Sequence, residues 1–164
     1  AMGLVVVNGV TRIPPAANLG TCWFDAAGVP HFSIPQASDK VSQAFAGFSP
    51  VLHEGKVVGR QDALHPRTTV GYDATKRLLY LVVVDGRQAG YSEGMYTKEL
   101  GELLLALGCQ EGINLDGGGS SVMLAANDAG SYRELNRPST RTLGISMRRP
   151  VPVVFGARLK PAAK

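Results

Sequence analysis

Hydrophobic positions along the chain fall into short runs that are separated by turn-forming residues, a pattern typical of a sheet-rich protein. The first run covers residues 4–7, and residues 68–72 combine β-branched and aromatic side chains, so both segments are predicted to be strands. Between them, residues 50–52 and 56–58 flank the polar residues 53–55. Two apolar runs on either side of a short turn that contains Gly predict a β-hairpin.

The longest apolar run, residues 78–84, shows no alternation of polar and apolar positions. Such a run predicts a central strand that is covered on both faces. It ends at Asp85-Gly86-Arg87. Polar side chains at the end of a buried strand are well placed for chemistry, because a rigid sheet directs them into a cleft lined by loops.

From Thr97 the pattern changes to that of a helix. Leucines at positions 100, 103, 104 and 107 have the spacing of one helical face, and Gly108 follows as a stop signal. Glu99 and Glu102 lie early in this segment, where carboxylates interact favourably with the helix macrodipole. The sequence therefore predicts one amphipathic helix over residues 97–107.

Short apolar runs return after the helix. Residues 113–115 predict a very short strand, residues 117–119 a glycine loop, and residues 122–124 a return strand. Residues 142–147 predict one last strand before a tail that contains proline. Because the pattern shows no strict alternation of strands and helices, we expect an α+β fold with a mixed β-sheet core and one clear helix.

The chain has 164 residues, of which 45% are hydrophobic and 18% are charged. A chain of this size and composition usually forms one compact domain. We expect this domain to cover residues 1–150, and residues 151–164 to form a C-terminal strand or tail. Cys22 and Cys109 have no metal-ligand spacing and are expected as buried free thiols, or as one bridge if the protein is exported.

The formal net charge is +4, but the basic residues are scattered and their strongest cluster is Arg148-Arg149. The sequence has no stripe of Lys and Arg with interleaved aromatic residues, which argues against nucleic-acid binding. The charge suits either an anionic small substrate or general solubility. No apolar run approaches the ~20 residues of a membrane helix, so membrane insertion is not expected. No signal-peptide pattern opens the chain, and we expect a secreted or periplasmic protein if such a peptide was removed and a cytoplasmic one otherwise.

Residues 114–121, Asn-Leu-Asp-Gly-Gly-Gly-Ser-Ser, are the least ordinary segment of the sequence. Three consecutive glycines cost backbone entropy, so they occur mainly where φ must be positive or where the backbone approaches a ligand closely. Between Asp116 and Ser120, they could present backbone N–H donors to an anion. The alternative is a tight turn between strands. A P-loop is excluded because no Gly-Lys-Ser or Gly-Lys-Thr follows the glycines.

This segment and its neighbours resemble the phosphodiester glycosidase family. The matching blocks occur in order and at family-like spacing over about half of the chain. The resemblance implies a fold of mixed α and β type and the hydrolysis of a sugar that is attached through its anomeric carbon to phosphate. The blocks are Arg67-Thr68-Thr69-Val70-Gly71, Val82-Val83-Val84-Asp85-Gly86-Arg87, Ser92-Glu93-Gly94-Met95 with Glu99-Leu100, Leu107-Gly108, residues 114–121, and a weaker block of Asn136-Arg137-Pro138 with Arg141.

For such a substrate the main task is charge neutralisation, because a phosphate monoester that loses its final proton near pH ~6 is already a good leaving group. Arginine suits this task, since its fork binds two phosphate oxygens and stays charged. Arg67 and Arg87 are the predicted clamp and Arg141 is a weaker third candidate; the alternative for each is a pair with a surface carboxylate. The residues expected to bind substrate or phosphate are Arg67, Arg87, Asn114, Gly117, Gly118, Gly119, Ser120 and Arg141.

On the sugar, positive charge of oxocarbenium type develops, which a carboxylate can stabilise, attack or answer by activating water. Asp85 and Asp116 each end a predicted strand and Glu99 lies on the predicted helix, so these three are the catalytic candidates. Which of them is nucleophile or base stays open, and Asp in a loop is often a turn former. No cofactor is expected, although oxygen ligands from Asp85, Asp116 and phosphate would also suit a divalent cation.

Other chemistries are weakly supported. His31, His53 and His65 share no ligand spacing and are interpreted as ordinary histidines. Ser120 lacks the context of a nucleophile elbow, which argues against serine-hydrolase chemistry. Residues 20–25 lack the Asn that the family places there. The alternatives to an enzyme are a module that binds a sugar phosphate, nucleotide or cell-wall polymer without turnover, and a purely structural assembly domain.

Overall fold

The computed structural model describes residues 3–127, 130–143 and 145–158. They form two five-stranded antiparallel sheets, one α-helix, a short 3₁₀ helix at Gly118–Ser120 and two short ribbons. The strands of the first sheet are β1 (Val5–Val7), β2 (Val10–Ile13), β3 (Thr21–Phe24), β4 (Pro30–His31) and β5 (Gln43–Ala46). Their order is β2-β1-β5-β3-β4.

The second sheet carries the segments that the sequence analysis selects for function. Its strands are β6 (Ser49–His53), β7 (Lys56–Val57), β8 (Arg67–Asp73), β9 (Leu78–Val84) and β10 (Glu111–Asn114), in the order β7-β6-β10-β8-β9. Helix α1 (Thr97–Ala106) connects β9 to β10. The ribbons are formed by β11 (Leu124–Ala126) with β12 (Tyr132–Glu134) and by β13 (Arg141–Thr142) with β14 (Ile145–Ser146).

The core between the two sheets is apolar. It contains Cys22 and Phe45 from the first sheet and Val70 and Ile113 from the second. Phe155, from the segment that follows the last ribbon, packs its ring against Phe45 with 4.8 Å between the ring centroids. Removal of this apolar surface from water, at about 25 cal/mol per Å², holds the two sheets together.

Helix α1 covers the other face of the second sheet. Leu100 and Leu104 are fully buried and pack against Val51 and Leu52 of β6. The leucine stripe explains this contact, because residues four apart lie on one face of a helix. The predicted helix is confirmed to within one residue at its end, and Gly108, with φ of +92°, follows the last turn. No described helix is long and apolar enough to cross a membrane.

The predicted hairpin is confirmed in β6 and β7. His53 pairs with Lys56 across the two-residue turn Glu54-Gly55, whose φ angles are +48° and +72°. Positive φ at both central residues matches the twist of the paired strands, which is why short hairpins favour this turn.

The predicted central position of residues 78–84 is wrong. β9 lies at the edge of the second sheet, where within the described residues it pairs with β8 alone. Tyr80, Val82 and Val84 pack against the helix side of the sheet, whereas Leu79 packs into the core between the sheets. An edge strand between two apolar layers therefore lacks the alternation that usually marks an edge.

The predicted return strand over residues 122–124 is also wrong. β11 begins at Leu124 and pairs with β12 in a ribbon that is separate from both sheets. Before it, the Met123 amide donates to the Asn136 side-chain oxygen, and the Met123 carbonyl accepts from the Leu135 amide. These contacts satisfy the backbone hydrogen-bonding groups of Met123 without a partner strand. The hydrophobic pattern of such a segment is the same as that of a strand.

The predicted last strand over residues 142–147 is wrong as a single strand, because β13 and β14 fold back on each other. Leu143, between them, has φ of +51°. Gly144 lies outside the described residues, as do residues 159–164 of the predicted tail.

Both cysteines are buried and free, as the sequence analysis expects by default. Desolvation raises the pKa of Cys22 to about 12, and desolvation is also the main cause that raises the pKa of Cys109 to about 11. Both thiols are therefore protonated at neutral pH and unreactive as nucleophiles.

Candidate active site

One end of the second sheet gathers the loops of the predicted site. Because neighbouring strands are antiparallel, the carboxyl ends of β9 and β10 lie beside the amino ends of β6 and β8. Asn114 of β10 pairs with both Thr69 and Ser49, and Arg67 of β8 pairs with Val84. The loops beyond these strand ends surround a cavity of about 820 Å³.

The cavity brings most of the predicted binding residues together. Those that line it are Arg67, Arg87, Asn114, Gly117, Gly118 and Gly119, together with the catalytic candidate Asp116. Four further ionisable side chains that the sequence analysis does not select also line it, namely Arg60, Asp62, His65 and Arg149. Four arginines against two aspartates give the lining an excess of positive charge, which favours an anionic ligand.

The glycine loop holds the backbone close to its neighbours. Gly118 has φ of +59°, and a Cβ at this position would lie 2.8 Å from Nη1 of Arg87. At Gly119, a Cβ would collide with the Thr140 hydroxyl group. Gly118 donates its amide hydrogen to the Pro66 carbonyl at 2.9 Å, and the next-but-one amide, of Ser120, donates to Gly117 at 3.1 Å. Because these two amides donate hydrogen bonds within the protein, they are not free to bind an anion. The loop instead forms a surface against which the Arg87 guanidinium group lies.

Arg87 is a cation without a carboxylate partner among the described residues. Its Nε and Nη2 lie 3.4 and 3.2 Å from Nδ1 of His65. A guanidinium group only donates, so Nδ1 must be the acceptor and the proton of a neutral His65 lies on Nε2. The backbone of Arg87 has φ of +55°, an uncommon conformation for a residue with a Cβ. Such strain persists mainly where the surrounding structure requires it, often at functional sites.

Arg67 differs from Arg87 because it is buried and paired. It is 7% exposed, and its Nη2 donates to Oδ2 of Asp62 at 2.8 Å and to the Ala63 carbonyl at 2.7 Å. Its Nε donates to the Met95 carbonyl at 2.8 Å. Three of its five N–H groups therefore hold the cavity wall, and Nη1 is the part of the fork left for a ligand.

Asp62 connects this wall to the start of helix α1. Its Oδ1 accepts the Thr97 amide hydrogen at 2.9 Å, while Oδ2 accepts from Arg67. Desolvation acts to raise the pKa of Asp62, but the hydrogen bond from the Thr97 amide and the Arg67 guanidinium outweigh it and hold the pKa below its usual value. Asp62 is thus an ionised structural partner.

Asp116 is the more exposed of the two carboxylates that line the cavity, with 59% of its side chain accessible. Its Oδ1 accepts the amide hydrogen of Gly117 at 2.9 Å, and its Oδ2 lies 3.6 Å from Nη2 of Arg149. Arg149 also donates from Nε to the Ser120 hydroxyl at 2.9 Å, and Nη2 contacts the same oxygen. The predicted binding residue Ser120 is therefore held beside the cavity by an arginine from the C-terminal segment.

Asn114 lies at the centre of the site. It is 5% exposed, and its side-chain Oδ1 is buried without a hydrogen-bond partner among the described residues. Its backbone carbonyl accepts the Phe48 amide hydrogen at 2.8 Å. Buried polar atoms are nearly always paired, so this oxygen beside the cavity is an exception to that rule.

Asp85 is not among the residues that line the cavity. Its carboxylate accepts the Tyr91 hydroxyl at 3.0 Å, the Asn136 amide group at 2.9 Å and the Arg137 backbone amide at 3.0 Å. These bonds join the segment after β9 to the segment before β13. In this structure Asp85 supports the loop that carries Arg87 and does not face the same space as Asp116.

Glu99 and Arg141 are likewise placed outside the cavity lining. Glu99 accepts the amide hydrogen of Tyr96 at 3.0 Å, which is the return bond of a capping box at the start of α1. Arg141 lies exposed in β13, opposite Ser146.

The four additional residues gave different signals in the sequence. Arg149 belongs to the basic pair 148–149, the strongest local charge cluster, but a tail was expected to begin only two residues later. His65 precedes the first family-like block by two positions. Arg60 and Asp62 have no motif of their own, and only the return of β7 to the same end of the sheet brings them to the cavity.

Comparison with known proteins places the chain in a family. Residues 1–158 match the family model described as phosphodiester glycosidase. No curated protein matches the chain significantly.

Two solved structures are similar in fold. One is the zebrafish N-acetylglucosamine-1-phosphodiester alpha-N-acetylglucosaminidase catalytic domain, auto-inhibited by its pro-peptide, with a TM-score of 0.66 and 19% identity, covering 92% of this chain and 55% of that one. The other is a hypothetical protein from Synechocystis, with a TM-score of 0.51 and 13% identity, covering 74% of this chain and 44% of that one. The chain therefore spans about half the length of the zebrafish structure. Since the family model covers nearly the whole chain, the protein belongs to the phosphodiester glycosidase family.

Proposed function

We propose that the protein hydrolyses a glycosyl phosphodiester, cleaving the bond between the anomeric carbon of a sugar and a phosphate oxygen. One observation carries this proposal. The guanidinium group of Arg87 lies against Gly118 in the cavity and has no carboxylate partner among the described residues. Because no described carboxylate pairs with Arg87, its guanidinium group does not have to leave an ion pair before it binds phosphate.

On the phosphate side, Arg87 and the free Nη1 of Arg67 neutralise the departing phosphate monoester. Negative charge grows on the bridging oxygen as the bond to the sugar breaks, so donors fixed beforehand stabilise the transition state more than the bound substrate. Because this leaving group is already weakly basic, no strong general acid is required.

On the sugar side, Asp116 is the carboxylate best placed to act. Asp62 is tied to Arg67 and to the amide of Thr97, whereas Asp116 is largely exposed and its contact with Arg149 is 3.6 Å long. A carboxylate there can stabilise the developing positive charge, attack the anomeric carbon or activate water. Asn114 and Ser120 would then hold sugar hydroxyl groups.

No cofactor has a part in this proposal. Within the described residues, no group of three or more His, Cys, Asp or Glu side chains is arranged to hold a metal ion. The arginines supply the positive charge that a divalent cation would otherwise provide.

The test is hydrolysis of an α-N-acetylglucosaminyl phosphodiester, and of other sugar phosphodiesters, in ¹⁸O-labelled water. We expect free sugar that carries the label, because water then adds to the anomeric carbon. Label in the phosphate product would instead identify a phosphodiesterase. Arg12 is exposed on the edge strand β2, so Arg12→Gln is the matched control for substitutions of arginines in the cavity.

Binding without turnover is the second candidate function, and one observation favours it. Both carboxylates that line the cavity have arginine partners, whereas two of the three predicted catalytic carboxylates lie outside the lining. A binding module would be protected against thermal unfolding by sugar phosphates and would release no sugar from any phosphodiester tested.

A further inference from the structure

Two arginines in the cavity lie beyond opposite edges of the second sheet. Arg87 comes three residues after the end of β9, and Arg60 comes three residues after the end of β7. The strand order places β9 and β7 at the two edges, with both strands ending on the cavity side. Four strand spacings of about 4.8 Å separate these edges by roughly 19 Å. Residues at or just beyond the ends of all five strands line the cavity.

Arg60 has a fixed backbone and an unpaired side chain. Its amide donates to the Thr97 hydroxyl at 2.9 Å, and its carbonyl accepts from that hydroxyl at 3.0 Å and from the Lys98 amide at 2.9 Å. The guanidinium group has neither a hydrogen bond nor an ion pair with any residue that the structure describes. Arg60 therefore repeats the main property of Arg87, a cation without a carboxylate partner on a rigid base.

Part of the cavity lining, at the start of β6 and just after β7, is apolar. Phe48, Pro50 and Val58 line it, and Phe48 is 47% exposed although its amide is held by the Asn114 carbonyl. An aromatic ring that stays exposed in a cavity offers a flat apolar surface, which suits the C–H face of a sugar ring.

We propose that the cavity binds a ligand with two anionic groups, one on each side of a neutral sugar portion, and that Arg60 binds the second group. This inference rests on the proposed function, in which Arg87 binds the phosphate of the bond that breaks. The substrate class is then a sugar phosphodiester with a further phosphate or other anionic group, such as a chain of sugars joined by phosphodiesters. A substrate with one anion engages Arg87 and leaves Arg60 in solvent.

Equilibrium binding tests this inference without turnover. The probes are a hexose 1-phosphate, a hexose 1,6-bisphosphate and a disaccharide with a phosphate at each end, titrated by calorimetry. We expect at least one of the two bisphosphate probes to bind about tenfold or more tightly than the monophosphate, because hydrogen bonds to charged groups are strong. Arg60→Gln should abolish this advantage and leave monophosphate affinity within about twofold, whereas the surface control Arg12→Gln should preserve the advantage.

The outcomes separate this inference from the proposed function. If neither bisphosphate probe binds more tightly than the monophosphate, or if the advantage survives in Arg60→Gln, Arg60 is an ordinary solvated arginine and the inference fails, whatever the protein hydrolyses. If the advantage depends on Arg60 but no phosphodiester releases sugar, the second anion site stands and the proposed hydrolysis fails. Melting curves of each variant show whether a change in binding reflects loss of the fold.

Discussion

The two sides of the candidate site use arginine in opposite ways. In the wall formed by Asp62, Arg67 and Thr97, the arginine is buried and three of its donors are engaged within the protein. In the loop pair formed by Arg87 and Gly118, the arginine is exposed and has no carboxylate partner among the described residues. Both arginines belong to family-like sequence blocks, so the chemistry of each is set by its surroundings and not by its motif.

This difference predicts where each residue acts. Removal of a buried, paired charge leaves its partner uncompensated, so the cost falls on folding. Removal of an exposed and unpaired charge costs little folding free energy, and the loss falls on the ligand. Substitutions on the two sides should therefore separate stability from activity.

The largest expected effect is on the loop side. Arg87→Gln should lower kcat/KM for a sugar phosphodiester by about 10²- to 10³-fold, because it removes a preorganised charged donor from the departing phosphate. The free energy of unfolding should change by less than about 0.5 kcal/mol. Steady-state kinetics and urea unfolding measure both quantities, with Arg12→Gln as the control. Equal kcat/KM in the variant and the native protein would remove Arg87 from the phosphate clamp.

The next effect compares two aspartates that the sequence analysis treats alike. Asp116→Asn should lower kcat about 10²-fold or more without loss of stability, since an amide can neither attack the sugar nor act as a base. Asp85→Asn should instead destabilise the fold by about 1–3 kcal/mol, because its carboxylate accepts three donors and an amide group can accept with one oxygen only. A stable Asp85→Asn variant without activity would return Asp85 to the catalytic candidates.

On the wall side, Arg67→Gln should destabilise the protein by about 2–3 kcal/mol. Complete burial of both partners would place the loss near 3–5 kcal/mol, but Asp62 is 39% exposed and water can partly solvate it. Urea unfolding of Arg67→Gln, Asp62→Asn and the double variant gives the coupling between the two residues. An unchanged unfolding midpoint combined with lost phosphate binding would show that Arg67 binds phosphate and does not stabilise the cavity wall.

Much of this arrangement could be predicted from the sequence, since the relevant signals are local. The leucine spacing predicts α1, the Glu54-Gly55 turn predicts the β6–β7 hairpin, and the family-like blocks select Arg67, Arg87 and the glycine loop. Each signal depends on residues that are close together in the chain.

What the sequence did not predict depends on strand order. Arg60 and Asp62 reach the cavity because β7 returns to the end of the sheet where β10 finishes, and Arg149 reaches it through a segment anchored by Phe155. Asp85 follows the end of a strand, as predicted, but its carboxylate accepts a hydrogen bond from Asn136 in a neighbouring segment. Contacts between residues that are far apart in sequence leave no periodic pattern for either case.

The smallest expected effect is the pH dependence of the wall. The pKa of Asp62 is lower in the folded protein than its usual value near 3.8, so its ionised form contributes stability above that value and the contribution is lost as the pH falls through the folded pKa. The free energy of unfolding of the native protein and of Asp62→Asn, measured from pH 6 to pH 2.5, should therefore converge below about pH 4. Convergence should be weaker when Arg67→Gln is present in both proteins, because Arg67 is one cause of the lowered pKa. A difference that stays constant across this range would mean that Asp62 contributes through its hydrogen-bond geometry and not through its charge, and the wall would then differ from the loop in packing alone.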